Sequence, residues 1–187
     1  MKNLFLTLML CGSVFAANIL SVSSVTDDGA GGVIFSLDYM FEDEVGGFQL
    51  DLLTDGVVTV TDVDGGDASA AWSVSNNSSG TILGFSFSGG TMDPGSGHFL
   101  DVTGTYDVVN IGTEVAVSAV EDCSVGLSSC NDDGDTRMIL SSPGGAALES
   151  SFSTGCWTVG SSEMCGTLDN EHSVYSFGLS KNYPNPF

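Results

Sequence analysis

Two short stretches decide the fold: Gly32-Val33-Ile34-Phe35-Ser36-Leu37-Asp38-Tyr39 and Phe48-Gln49-Leu50-Asp51-Leu52. In the first, Val33, Phe35, Leu37 and Tyr39 share one phase, and Ser36 and Asp38 fall in the other. In the second, Phe48, Leu50 and Leu52 alternate with Gln49 and Asp51. A period of two places alternate side chains on opposite faces of an extended chain, so each stretch reads as a half-buried β-strand. Between them, Glu42-Asp43-Glu44 reads as an acidic turn.

The same pattern extends outward in both directions. Strands are expected at 18–25, 57–60, 70–75 with Trp72 and Val74, 81–88 with Leu83, Phe85 and Phe87 on one face, 98–109 with a bend at Gly104, and 114–120. Gly- and Asp-rich turns separate them at intervals of about ten residues, the mark of an antiparallel sandwich or barrel. No stretch sustains a helical period, and 146–150 has room for one helical turn at most. Phe35, Leu37, Phe48, Leu50, Phe85 and Phe87 are expected to be buried together. From Cys123 to Cys165 the chain is richer in Ser and Gly and holds four cysteines. About forty residues rarely build a core of their own. This part is therefore read as stapled strands and loops on the same sandwich, with strands at 136–140 and 157–159.

Charge narrows the function classes. The chain of 187 residues has 24 acidic side chains against three basic ones, Lys2, Arg137 and Lys181. Such a surface repels phosphate backbones and anionic membranes, so nucleic acid is excluded as a partner. The opening residues fit an export leader over 1–16: Lys2, an apolar run from Leu4 to Phe15, then Val14-Phe15-Ala16 as a cleavage site. Cys11 reads as a leader residue, because Leu8-Met9-Leu10 before it are too large for a lipidation site. No later segment is long and apolar enough to cross a membrane. Cys123, Cys130, Cys156 and Cys165 remain after leader removal. An even count in an exported chain reads as two disulfides; four cysteines allow three connectivities, of which short loops favour Cys123–Cys130 and Cys156–Cys165 while the sequence leaves all three open. Their spacing lacks the C-x2-C knuckles of structural zinc.

The chain ends Leu179-Ser180-Lys181-Asn182-Tyr183-Pro184-Asn185-Pro186-Phe187. This string resembles the opening of the type A sorting domain of the type IX secretion system, carried here by Leu179, Asn182, Tyr183, Pro184, Asn185, Pro186 and Phe187. The resemblance implies export through that machinery, and a sorting domain that continues past Phe187. A second resemblance covers Val45-Gly46-Gly47-Phe48-Gln49-Leu50-Asp51-Leu52, Thr81-Ile82-Leu83-Gly84-Phe85-Ser86-Phe87-Ser88-Gly89 and Pro94-Gly95-Ser96-Gly97. These are similar to strands and a turn of cohesins, jelly-roll sandwiches related to carbohydrate-binding modules, some of which bind dockerins. After Gly97 the chain departs from that pattern, with His98-Phe99 where aliphatic residues are usual and with the added cysteine segment. The expected fold is thus all-β: an antiparallel β-sandwich of jelly-roll, cohesin-like type with disulfide-stapled C-terminal strands and loops. The expected order is leader 1–16, sandwich 17–168, linker 169–178 and sorting-domain start 179–187.

Candidate chemistry is sparse. Asp62, Asp64 and Asp67 lie on one Gly-rich stretch, and Asp132, Asp133 and Asp135 on another. Clustered carboxylates suit calcium, although neither stretch has the spacing of an EF-hand. Trp72, Tyr106 and Trp157 are candidates for stacking on sugar rings, with core packing the competing role. Ser96, His98 and His172 form no nucleophile elbow, and no catalytic residue is assigned. No cofactor is expected, and calcium is the candidate ion for these carboxylates. Two readings stay open. One is a secreted or cell-surface structural or adhesive module without catalysis, its partner another surface protein. The other is a carbohydrate-binding module, with or without calcium, of a polysaccharide-degrading system.

Overall fold

The computed structural model describes residues 18–119 and 138–165. The leader, the stretch with Cys123, Cys130, Asp132, Asp133 and Asp135, the linker and the sorting-domain string lie outside the described residues.

Alternating strands pack into two five-stranded sheets. The first runs in the order β11 (Ser150–Ser153), β1 (Asn18–Asp27), β2 (Gly32–Phe41), β7 (Gly95–Tyr106), β4 (Val58–Asp64). The second runs β10 (Ala147–Leu148), β9 (Met138–Ser141), β3 (Gly47–Asp51), β6 (Thr81–Phe85), β5 (Ser73–Asn76). A separate pair, β8 (Glu114–Val117) with β12 (Gly155–Thr158), lies alongside, with Ser118 bridged to Leu53. Pairing is antiparallel except between β1 and β11. One short helix, α1 (Gly66–Ala71), joins β4 to β5. Among the described residues no helix is long and apolar enough to cross a membrane.

Register fixes the core. β2 sends Val33, Phe35 and Leu37 inward, and β3 sends Phe48 and Leu50. In β7, Leu37 faces Leu100 and Asp38 faces His98, which leaves Phe99 as an extra residue. A bulge of this kind interrupts the alternation. Phe99 and Leu100 are consecutive, yet both are fully buried. The Phe99 ring then meets Phe48 at 4.8 Å, Phe41 at 5.9 Å, Tyr39 at 6.2 Å and Trp72 at 6.4 Å between centroids. Asn18 is buried too, and its amide is satisfied. It donates to Asp43 Oδ2 and the Glu149 carbonyl, and accepts from the backbone N–H groups of Glu42 and Asp43. The acidic turn is thereby tied to the start of β1.

Four expectations are corrected. In 81–88 the strand ends at Phe85, and the inward face is Ile82 and Gly84, not Leu83, Phe85 and Phe87. Phe85 is 43% exposed and Phe87 90% exposed. The cause is Phe48: a Cβ on Gly84 would collide with its ring, so the glycine is where the two strands interlock. The 70–75 stretch is the end of α1 followed by β5, with Trp72 between them. The 146–150 stretch carries β10 and the start of β11 instead of a helical turn. β7 runs unbroken through Gly104, where the Val58 side chain fills the space a Cβ would need, and ends at Tyr106. The part from Met138 to Cys165 does join the same sandwich. β9 is an inner strand of the second sheet, flanked by β3 and β10.

Phe99→Ala should therefore cost about 3–5 kcal/mol, whereas Phe87→Ala should stay within about 0.5 kcal/mol of the parent. Urea unfolding of the two variants measures the contrast. Equal losses would place Phe87 in the core and contradict the register.

Candidate functional site

The outward face of the second sheet is built from two rows of side chains. Register aligns Ile139, Gln49, Leu83 and Ser75 across four strands, and Ser141, Gly47, Phe85 and Ser73 across the same four. Leu83, Phe85 and Ile139 are 39%, 43% and 41% exposed. Phe87 stands just beyond β6, its ring edge-on to Phe85 at 4.8 Å. Gly47 has no side chain in the second row, and the gap between Ser141 and Phe85 opens a shallow depression of about 270 Å³ floored by Gly47 and Gly84. Exposed Ser73 and Ser75 border the apolar group on one side, half-buried Ser141 on the other. An exposed apolar group with polar residues among and around it is one form that an interaction surface takes.

The first sheet presents a different outer surface. His98 on β7 lies between two carboxylates, with Nδ1 3.5 Å from Asp38 and Nε2 3.3 Å from Asp101. Ser36 donates to the other Asp101 oxygen at 2.7 Å. Both ring nitrogens of His98 thus face carboxylates. Ser96, two residues away on the same strand, is not among its partners.

The residues singled out in the sequence are dispersed. Trp72 is 5% exposed, packs on Phe48 and Phe99, and donates its indole N–H to the Gly90 carbonyl. Trp157 is fully buried between Phe35 and Tyr106, with its indole N–H on the Ser161 carbonyl. Tyr106 is buried and donates its hydroxyl to Asp27 Oδ1 at 2.7 Å. None of the three rings offers a free face for a sugar, because each fills the sandwich interior. Asp62 and Asp64 sit on β4 and Asp67 in the first turn of α1, where it accepts from the Tyr39 hydroxyl. They do not converge as a calcium site. Among the described residues, the one group of three or more His, Cys, Asp or Glu with ligand atoms within 4.8 Å of one another is Glu114, Cys156 and Cys165. The expected bond Cys156–Cys165 is present, closing a hairpin after β12.

Sequence reasoning missed the apolar face. It placed Leu83, Phe85 and Phe87 in the core and did not single out Ile139. The available signal was Gly84, a residue without a side chain in the phase that a buried strand would fill.

No protein-family profile matches the chain, and no curated protein matches it. Solved structures do. The third ScaB cohesin of R. flavefaciens, in complex with a group 1 dockerin, aligns with TM-score 0.57 at 12% identity, over 79% of this chain and 98% of that one. The sixth cohesin of scaffoldin B from Acetivibrio cellulolyticus, in complex with a Cel5 dockerin variant, aligns with TM-score 0.53 at 12% identity, over 76% and 99%. At these identities the likeness concerns the fold: the chain is a two-sheet sandwich of cohesin-like architecture.

The Tyr106 hydroxyl has its pKa pushed up to about 12 from 10.0, by burial first and then by the Asp27 carboxylate. The folded chain keeps a proton there that the unfolded chain gives up. Its contribution to stability is complete below pH 10.0 and lost as pH rises through about 12. Urea unfolding across that window should show falling stability, with a smaller fall in Tyr106→Phe. An identical pH slope in both proteins would overturn the assignment.

Proposed function

We propose that the chain is an exported, non-catalytic protein-binding module of an adhesive or scaffolding kind, and that the outer face of the second sheet receives a dockerin-type partner. One observation carries the reading: the exposed apolar group of Leu83, Phe85, Phe87 and Ile139 lies on a sandwich similar in fold to cohesins solved with dockerins. Aromatic anchors at the centre of a polar-rimmed patch supply most of the energy of a protein interface. The formal net charge of −21 favours a partner with basic residues around its own apolar centre. The carbohydrate-binding alternative loses support, since Trp72, Tyr106 and Trp157 are buried.

A panel of dockerin modules tests this by surface plasmon resonance. At least one should bind with Kd of about 1 μM or tighter. Leu83→Asp and Phe85→Ser should weaken it by about a hundredfold without changing the urea midpoint. Absence of binding across the panel, or binding indifferent to both substitutions, would count against the reading. So would tighter binding to a glycan array.

Placement outside the cell belongs to the same proposal. The leader pattern with Val14-Phe15-Ala16, the Cys156–Cys165 disulfide and the Leu179 to Phe187 string support it. In a host with type IX machinery, the gene extended by a complete sorting domain should yield a protein beginning at Ala17, at the surface or in the medium. An uncleaved cytoplasmic product would contradict the route.

A further inference from the structure

The hairpin after β12 holds a cluster of side chains that the binding face does not use. β12 is registered on β8, with Thr158 opposite Glu114 and Cys156 opposite Ala116. The chain then turns back. Ser161 N–H donates to the Thr158 carbonyl at 3.0 Å, and Cys165 N–H to the Cys156 carbonyl at 2.9 Å. Trp157 bridges to Met164, and its buried ring anchors the hairpin on Phe35 and Tyr106. These backbone hydrogen bonds join the two arms of the hairpin in addition to the bond between the sulfurs. A carboxylate oxygen of Glu114 and both Sγ atoms lie within 4.8 Å of one another. Glu114 is exposed and both cysteines are half-buried, so the cluster opens to solvent.

We propose that this hairpin is a redox-gated metal site: once the disulfide is reduced, Cys156, Cys165 and Glu114 bind one thiophilic divalent cation, Zn²⁺. Two soft sulfurs and one carboxylate, with a water in the fourth position, suit a tetrahedral zinc ion. Bonds of about 2.3 Å to sulfur and about 2.0–2.2 Å to oxygen set the ligand atoms about 3.5–3.8 Å apart. The existing cluster needs side-chain adjustments, not a new backbone path. The chemistry balances with a dithiol reductant. Its two thiols become one disulfide, the Cys156–Cys165 bond takes up the two electrons and two protons, and two cysteine thiols form. Zn²⁺ then displaces both thiol protons to solvent. In the oxidised chain the sulfurs are spent on each other, so the staple and the metal exclude one another. The acidic surface raises the local cation concentration.

The test uses the full chain with Cys11, Cys123 and Cys130 changed to serine, so that Cys156 and Cys165 are the sole thiols. Co²⁺ is the probe, because it reports thiolate ligation by charge-transfer absorption and tetrahedral geometry by its visible bands. After reduction with dithiothreitol and removal of the reductant, one Co²⁺ per chain should bind with both signatures and be displaced by Zn²⁺. The oxidised chain should show neither signature. Glu114→Gln should weaken binding on the order of tenfold or more while leaving the thiolate signal per bound ion unchanged. Cys156→Ser should abolish that binding. Every sample also carries Trp72→Phe, so that Trp157 is the sole tryptophan and its fluorescence monitors the hairpin. The proposal is overturned by equal binding to oxidised and reduced chains, by unchanged affinity in Glu114→Gln, or by a reduced hairpin whose Trp157 becomes solvent-exposed and is not restored by Zn²⁺.

Discussion

The sandwich depends on where the Phe99 ring goes. A regular β7 would have pointed Phe99 and Leu100 to opposite faces of the sheet, leaving one of two large apolar side chains in water. The extra residue in the register against β2 turns both inward. Phe99 then touches rings from β2, from β3 and from the segment joining α1 to β5. Through this one side chain the two sheets and the helix share a single core. The position of Phe48 follows from it, and so does the absence of a side chain on Gly84, where the Phe48 ring lies. Once Ile82 and Gly84 take the inner face of β6, Leu83 and Phe85 have nowhere to point except outward.

The exposed apolar face of the second sheet is therefore a consequence of how the core is packed, which explains what could be read in advance. The alternation in 32–39 and 48–52 was legible because the off-phase residues, such as Ser36, Asp38, Gln49 and Asp51, are polar. In 81–88 both phases contain apolar residues, and the choice between them lies with the Phe48 ring on another strand. No local pattern reports that. Helix α1 has six residues, too few for a helical period to emerge. The burial of Trp72 and Trp157 was legible only as one of two roles, because an aromatic ring serves a core and a sugar platform equally well. The Cys156–Cys165 pairing was legible as the short-loop choice among the three connectivities that four cysteines allow.

The two faces of the sandwich differ in chemistry. The outer side of the first sheet places His98 among Asp38 and Asp101, with Ser36 hydrogen-bonded to Asp101 and with Ile34 and Met40 exposed on the same strand as Ser36 and Asp38. The outer side of the second sheet gathers Leu83, Phe85 and Ile139 around a dent made by Gly47, with Phe87 beside them. At the far end of the described chain, β12 and its hairpin rest on Trp157 and are held by backbone hydrogen bonds as well as by sulfur.

The most direct measurement is a hydrogen-exchange footprint of the chain with and without a bound dockerin-type partner. Protection confined to β3, β6 and β9, centred on the amides of Gln49, Leu83, Phe85 and Ile139, is the result this account requires. Protection centred on β2 and β7 around Asp38, His98 and Asp101, with β6 unchanged, would contradict it.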